Sequence, residues 1–267
     1  MSMPQLIGHW AAGQKLLSSI DIKNQNVLRE NEGAFELGLI GPDVFYAHTA
    51  KDGKSFMPLL GYDIHKDSAN KLLVPMQEYA LSQGEVNHEL LSYIAGYVSH
   101  YHLDKTAHPF VGSQIANGGN HNRIETDMEG AIYNHIVGQD VRNFKHGKQI
   151  PYENLEETAR MISAVVKEVY GRNFTEQNIK TAMKNFYRFH RVVNNKIVSK
   201  LKNFSGLQNA FLLSYFKHGN VKNIDEIVEV FENTNRSQTS EIKNLMESMI
   251  DRKTYQVDDA LGFLNGV

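Results

Sequence analysis

The chain contains no cysteine. Disulfides, thiolate nucleophiles and thiolate-bound metals are therefore excluded. Long apolar runs are missing as well: nothing approaches the roughly 18 consecutive apolar residues a membrane-spanning helix needs. Neither sign of charge prevails, with 28 Lys+Arg against 30 Asp+Glu and a net charge of −2. No overall basic field invites nucleic acid, and no polybasic run invites a membrane surface. No G-x-S-x-G elbow, P-loop or G-x-G-x-x-G is present, which removes the usual signatures of a serine triad and of nucleotide binding. Nor does a His-Asp dipeptide occur, as a hydrolase of the HD type would need. The first twenty residues lack an early Lys or Arg, and Gln5, His9, Gly13, Gln14 and Lys15 interrupt their apolar positions. A secretory signal peptide needs the opposite arrangement, so the chain reads as cytoplasmic.

What is present is a globular composition, 41% hydrophobic and 22% charged over 267 residues. That length can bury a substantial core. No repeat, low-complexity tract or linker divides it, so residues 1–267 read as a single all-helical domain. Charge and histidine are uneven within it. Residues 1–146 carry a net −5 and ten of the twelve histidines, whereas residues 147–267 carry a net +3. An acidic, histidine-rich half is where a cation site is expected.

Helical periodicity dominates and strand alternation is not evident, which predicts an all-α fold. Leu90, Leu91, Ile94, Ala95 and Val98 recur at three- and four-residue steps in a helix predicted over Glu85–Thr106, ended by Pro109. Asn120 is placed to cap a helix from His121 to Val137. Leu155–Tyr170 follows, closing at Gly171. Thr175 and Asn178 open a long helix running through Leu201. Val221–Phe231 and Glu241–Leu264 complete the set. Ala47–Lys71 reads as the longest irregular segment.

The chemistry concentrates between Tyr97 and Glu129. His100, Asp104 and His108 stand at i, i+4 and i+8, on one helical face drifting about 40° per step. His102 lies about 200° from His100 and faces elsewhere. His121 and Glu125 repeat the i, i+4 pairing on the next helix. Side by side, the two helices offer three histidines and two carboxylates to one volume. Imidazole with carboxylate and no thiolate suits Zn²⁺, and also Mn²⁺ or Fe²⁺. The alternative is a pair of hydrogen-bonded surface His–carboxylate couples.

Five segments together resemble the bacterial zinc-dependent phospholipase C family, related to the S1/P1 nucleases. They are Met3-Pro4 with His9, Gly41-Pro42-Asp43, Gly61-Tyr62-Asp63-Ile64-His65, the run from Gly96 through His100, Asp104 and His108-Pro109, and His121 with Glu125. The matches span roughly residues 1–130, which would build the metal site. The resemblance implies a single multi-helix domain of the phospholipase C/P1 nuclease type holding two or three zinc ions. Asp43, His65, His100 and Asp104 would hold one; His108, His121 and Glu125 a second; His9 and Asp104 the third, with Asp104 bridging. In the secreted members the mature N-terminal residue completes the third site. Here Met1 lies eight residues before His9, leaving that coordination to water or another side chain.

The implied activity is hydrolysis of a phospholipid or other small phosphodiester by a metal-activated water, with no stable nucleic-acid partner. Paired cations supply the electrostatic stabilisation that an anionic phosphodiester demands. Asp43 would take the proton from water. Asp63, Asp67, Asp127 and Glu129 are the acids within reach of the histidines' second nitrogens, although each reads more readily as a solvated surface acid. Two other functions share this ligand set: a non-catalytic metal-binding helical protein, and a nuclease or nucleotidase on the same metal core. Trp10 and the Phe45-Tyr46 pair read as core. His48, His88, His102, His135 and His146 read as surface residues, and Arg188, His190 and Arg191 as a solvated basic face.

Overall fold

The structure is a computed structural model. It describes residues 6–119, 121–144, 155–193 and 223–258, without the side chains of residues 121–123, 126, 142 and 189–193. Among the described residues there are ten α-helices and no strands. Helix α1 is Leu6–Ser19, α2 Ile22–Glu30, α3 Glu32–Ile40, α4 Met57–Lys66, α5 Asn70–Ser82 and α6 His88–Ala116. After them come α7 His121–Val137, α8 Glu156–Tyr170, α9 Glu176–Val193 and α10 Ile224–Ile250. Two 3₁₀ turns, Gly41–Ala47 and Val141–Asn143, follow α3 and α7. No helix among the described residues is long and apolar enough to cross a membrane.

Local chemistry sets several of these boundaries. Asn87 caps α6, its side-chain oxygen accepting from the amides of Glu89 and Leu90 at 2.9 and 3.2 Å, which satisfies donors the helix start leaves open. Thr175 and Asn178 form a reciprocal capping pair before α9, with the Asn178 amide donating to Thr175 Oγ1 at 3.2 Å and the Thr175 amide to Asn178 Oδ1 at 3.0 Å. Gly171 closes α8 in the left-handed region at φ 63°.

Four expectations need correction. Pro109 does not end α6, which runs on to Ala116. Proline forfeits one helical hydrogen bond, but Phe110 and Val111 beyond it are buried against α1, α7 and α10 residues, and that burial outweighs the loss. Ala47–Lys71 is irregular only over its first part. Pro58 in the first turn of α4 and the buried Met57, Leu60 and Ile64 make a helix of the rest. The predicted helices at Val221–Phe231 and Glu241–Leu264 are one helix, ending at Ile250. The polar run between them continues the helix because Thr234, Asn235 and Gln238 are buried. Gln238 accepts from Ser99 Oγ at 2.7 Å and donates to the Ala12 carbonyl at 3.2 Å. Finally, His102 is not a surface residue but is 3% exposed, held between Glu241 (3.2 Å) and Ser237 (3.3 Å) of α10. The Asn120 cap, His146 and the extension of α9 through Leu201 lie outside the described residues.

Two large apolar clusters form most of the interior among the described residues, beside a small third one at Ile7 and Tyr133. The larger is built from α2, α3, α4, α5, α8 and α9, both ends of α1 and the second half of α10 around the first half of α6, and the second from the middle of α1, α7, the start of α10 and the second half of α6. Helix α6 passes from one to the other between Tyr101 and Leu103, and His100 and Asp104 bracket that crossover. Helices α3 and α6 cross at Gly38 and Gly96, where a Cβ on either would come within about 2.2 Å of a backbone carbonyl. Only glycine permits this approach. It brings the chain leaving α3 directly onto His100.

Candidate metal centre

That chain is the turn Gly41-Pro42-Asp43. Gly41 has φ 54°, and a Cβ there would lie 3.1 Å from the His100 ring. Its positive φ swings the backbone around the imidazole and delivers Asp43, 5% exposed, into the interior. From α4, His65 Nε2 approaches Asp43 Oδ1 at 3.1 Å and Asp104 Oδ2 at 3.8 Å. From α6, His100 Nε2 lies 3.2 Å from Asp104 Oδ2; from α1, His9 Nε2 lies 3.4 Å from Asp104 Oδ1. The His9 and His100 rings stack at 4.1 Å between centroids, 19° from parallel. Four separate elements thus deliver five side chains to one buried volume. Two trios, His9–His100–Asp104 and Asp43–His65–His100, have donor atoms within 4.8 Å of one another.

The outer hydrogen bonds turn these imidazoles inward. His65 Nδ1 is 2.6 Å from the Gly61 carbonyl, and His100 Nδ1 is 3.1 Å from the Leu39 carbonyl. A carbonyl oxygen only accepts, so each Nδ1 carries the proton and each Nε2 keeps its lone pair for the interior in the neutral ring. These partners are backbone carbonyls, and none of the four acids considered for the role takes part in either bond. Asp63 pairs with Arg172 and Asp67 with Lys71. Glu129, 1% exposed, accepts through Oε1 from the amides of Ile7 and Gly8 at 2.7 and 3.0 Å, capping the start of α1. Burial, with neighbouring Glu125 adding to it, pushes the Glu129 carboxyl up to about 8. His9 Nδ1 is buried without a hydrogen-bond partner among the described residues.

The electrostatics are those of a crowded set. Burial and then the charge of His100 lower the His9 pKa. Burial also disfavours a charged His100, but the Asp104 and Asp43 charges outweigh it and raise the group to about 9. His65 is raised in the same way, burial being outweighed by its hydrogen bond to Asp43 and by the Asp43 and Asp104 charges. Asp104 is held well below the carboxylate range: burial opposes this, and His100 and His108 overcome it. Three imidazoles and two carboxylates, with two Nε2 lone pairs aimed inward and no thiolate, fit a borderline cation such as Zn²⁺.

Of the remaining expected ligands, His108 is half-buried one turn after Asp104 and close enough to act on its charge, and Glu125 is buried on α7. Neither joins the two trios among the described residues. The His121 side chain lies outside the described residues. Trp10 is a core anchor with an added bond: it packs edge-on to Phe144 at 5.2 Å and donates to Glu36 at 3.2 Å. Tyr46, expected in the core, stands half-buried at the rim of the site, its hydroxyl 3.3 Å from His65 Nδ1.

Comparison with known families bears on the same residues. The model of the family described as zinc dependent phospholipase C matches residues 8–188, a span holding every side chain named in the two trios. The chain belongs to the zinc-dependent phospholipase C family. No curated protein and no solved structure matches it significantly.

Proposed function

We propose that the chain is a zinc-dependent phosphodiesterase of phospholipase C type, hydrolysing a phospholipid or another small phosphodiester with water as nucleophile. The observation that supports this most is the convergence of His9, Asp43, His65, His100 and Asp104 on one volume in two overlapping trios, a donor set large enough for the paired cations that phosphodiester hydrolysis uses. Asp43, His65, His100 and Asp104 would hold one ion, His9 and Asp104 another, and His108, His121 and Glu125 a further one. When bound, the ions supply Lewis acidity and positive charge opposite the phosphate.

The protein's own groups do the rest. The Leu39 and Gly61 carbonyls fix the His100 and His65 rings. Asp43 directs Oδ1 to His65, and its second oxygen takes the proton from the attacking water. Asp104 divides its oxygens between His9 on one side and His100 and His65 on the other, which suits a bridging carboxylate. The surrounding apolar clusters exclude bulk water and strengthen each of these interactions. The test is hydrolysis of a chromogenic phosphodiester and of phospholipid micelles by the zinc-loaded chain, with single-stranded DNA as comparison. Turnover of the first two, abolished by chelation and restored by zinc, supports the reading. No turnover by zinc-saturated protein would leave a metal-binding protein without this activity, and turnover of DNA alone would make it a nuclease.

A further inference from the structure

We propose that Tyr46 binds the substrate's phosphate, its hydroxyl donating a hydrogen bond to a non-bridging oxygen of the phosphodiester. The assignment rests on the phosphodiesterase reading above and adds a residue to it that is neither a metal ligand nor a proton acceptor.

The argument starts from the protons around His65. Its Nδ1–H is committed to the Gly61 carbonyl at 2.6 Å. The Tyr46 hydroxyl lies 3.3 Å from the same nitrogen, but a nitrogen that carries a proton cannot accept one. Tyr46 can therefore only accept from His65, weakly, and its own O–H needs another acceptor. The phenol is held in place for that role. Its ring sits against the backbone of α4 at Gly61, where a Cβ would lie 3.1 Å from Tyr46 Cζ, and it packs against His65 with centroids 5.7 Å apart. The hydroxyl thus reaches the half-buried edge of the site beside a ring whose other nitrogen faces Asp43 and Asp104.

A phenol O–H is a hydrogen-bond donor to an anionic oxygen. Neighbouring Tyr62 is 39% exposed and has the Lys66 ammonium 4.1 Å above its ring. The Tyr46 O–H, held at a half-buried position beside His65, suits a phosphate oxygen as its acceptor.

The variant is Tyr46→Phe, which removes one hydroxyl and keeps the ring. Three quantities are measured on the full-length chain: zinc affinity by competition with a chelator, affinity of the zinc-loaded protein for inorganic phosphate by calorimetry, and kcat/KM on a chromogenic phosphodiester. Zinc affinity is expected to stay within about twofold, while phosphate binding weakens about tenfold and kcat/KM falls about 10- to 100-fold, as for a hydrogen bond to a charged group. Unchanged phosphate affinity would overturn the proposal. So would a loss of zinc affinity that accounts for the phosphate effect, since Tyr46 would then act through His65. A wild-type chain without phosphodiesterase activity would defeat the reading beneath, while the phosphate titration still judged Tyr46 by itself.

Discussion

The imidazoles of His9 and His100 lie face to face, 4.1 Å between centroids, although one is delivered by α1 and the other by α6. Burial and the neighbouring charge lower the pKa of His9, while the two aspartates raise that of His100. The pair is thus biased to carry its charge on His100; a bound cation would instead take both rings as neutral ligands.

Removal of zinc is therefore expected to loosen the fold. Ligand bound at 100 times its dissociation constant stabilises by about 2.7 kcal/mol. In a chain of this size that corresponds to a melting temperature lower by roughly 5–10 °C. Thermal melts with and without chelator, and after readdition of zinc, check this. An unchanged curve after verified metal loss would mean that the cluster is held by its own hydrogen bonds.

Asp104→Asn keeps the shape and removes the charge that His9, His65 and His100 approach. Phosphodiesterase activity is expected to fall at least about 100-fold, with lower zinc content and near-normal helicity. His102→Ala is the contrasting change. It empties a buried position bonded to Glu241 and Ser237, so it should cost about 2–4 kcal/mol of stability and leave zinc content intact. Loss of zinc in His102→Ala, or full activity in Asp104→Asn, would reverse the assignment of the two faces of α6.

Gly96→Ala would place a Cβ 2.2 Å from the Phe35 carbonyl, and Gly38→Ala one 2.1 Å from the Tyr93 carbonyl. Backbone cannot yield as a side-chain tip can, so α3 and α6 must separate. Each variant should lose more than about 3 kcal/mol and, because Asp43 follows α3, should bind zinc more weakly. Retained stability in urea titrations with normal zinc affinity would show that the crossing tolerates a methyl group.

Glu36 is 3% exposed, and burial, with the Glu32 charge adding to it, raises its carboxyl from 4.5 to about 7. Between these values the folded state binds the proton and the unfolded state releases it. This group's contribution to stability therefore falls as pH rises through the window and is constant above it. The full effect is at most about 3 kcal/mol. Glu36→Gln should gain melting temperature relative to wild type as pH is raised from 5 to 8. Parallel profiles for the two proteins would mean that Glu36 is not protonated in the fold.

How much of this was legible from the residues alone depends on range. His100, Asp104 and His108 follow from helical spacing within a single element. His9, Asp43 and His65 come from three other elements, and no local pattern brings them together; only the family resemblance proposes them. The carbonyls of Leu39 and Gly61 carry no side-chain signal at all, so the sequence could offer only nearby acids as candidate partners for the rings. Pro109 and the polar stretch of α10 mislead for a common reason: local propensity is overridden by what the helix buries, Phe110 and Val111 in one case and Gln238 in the other. His102 is hidden likewise, because its partners Ser237 and Glu241 lie more than 130 residues away.

Zinc per chain is the most direct measurement. Protein purified without chelator and analysed by elemental mass spectrometry should contain two or three zinc ions per chain, and Asp104→Asn fewer. Less than one transition metal per wild-type chain, even after reconstitution with excess zinc, would contradict the metal centre and the activity built on it.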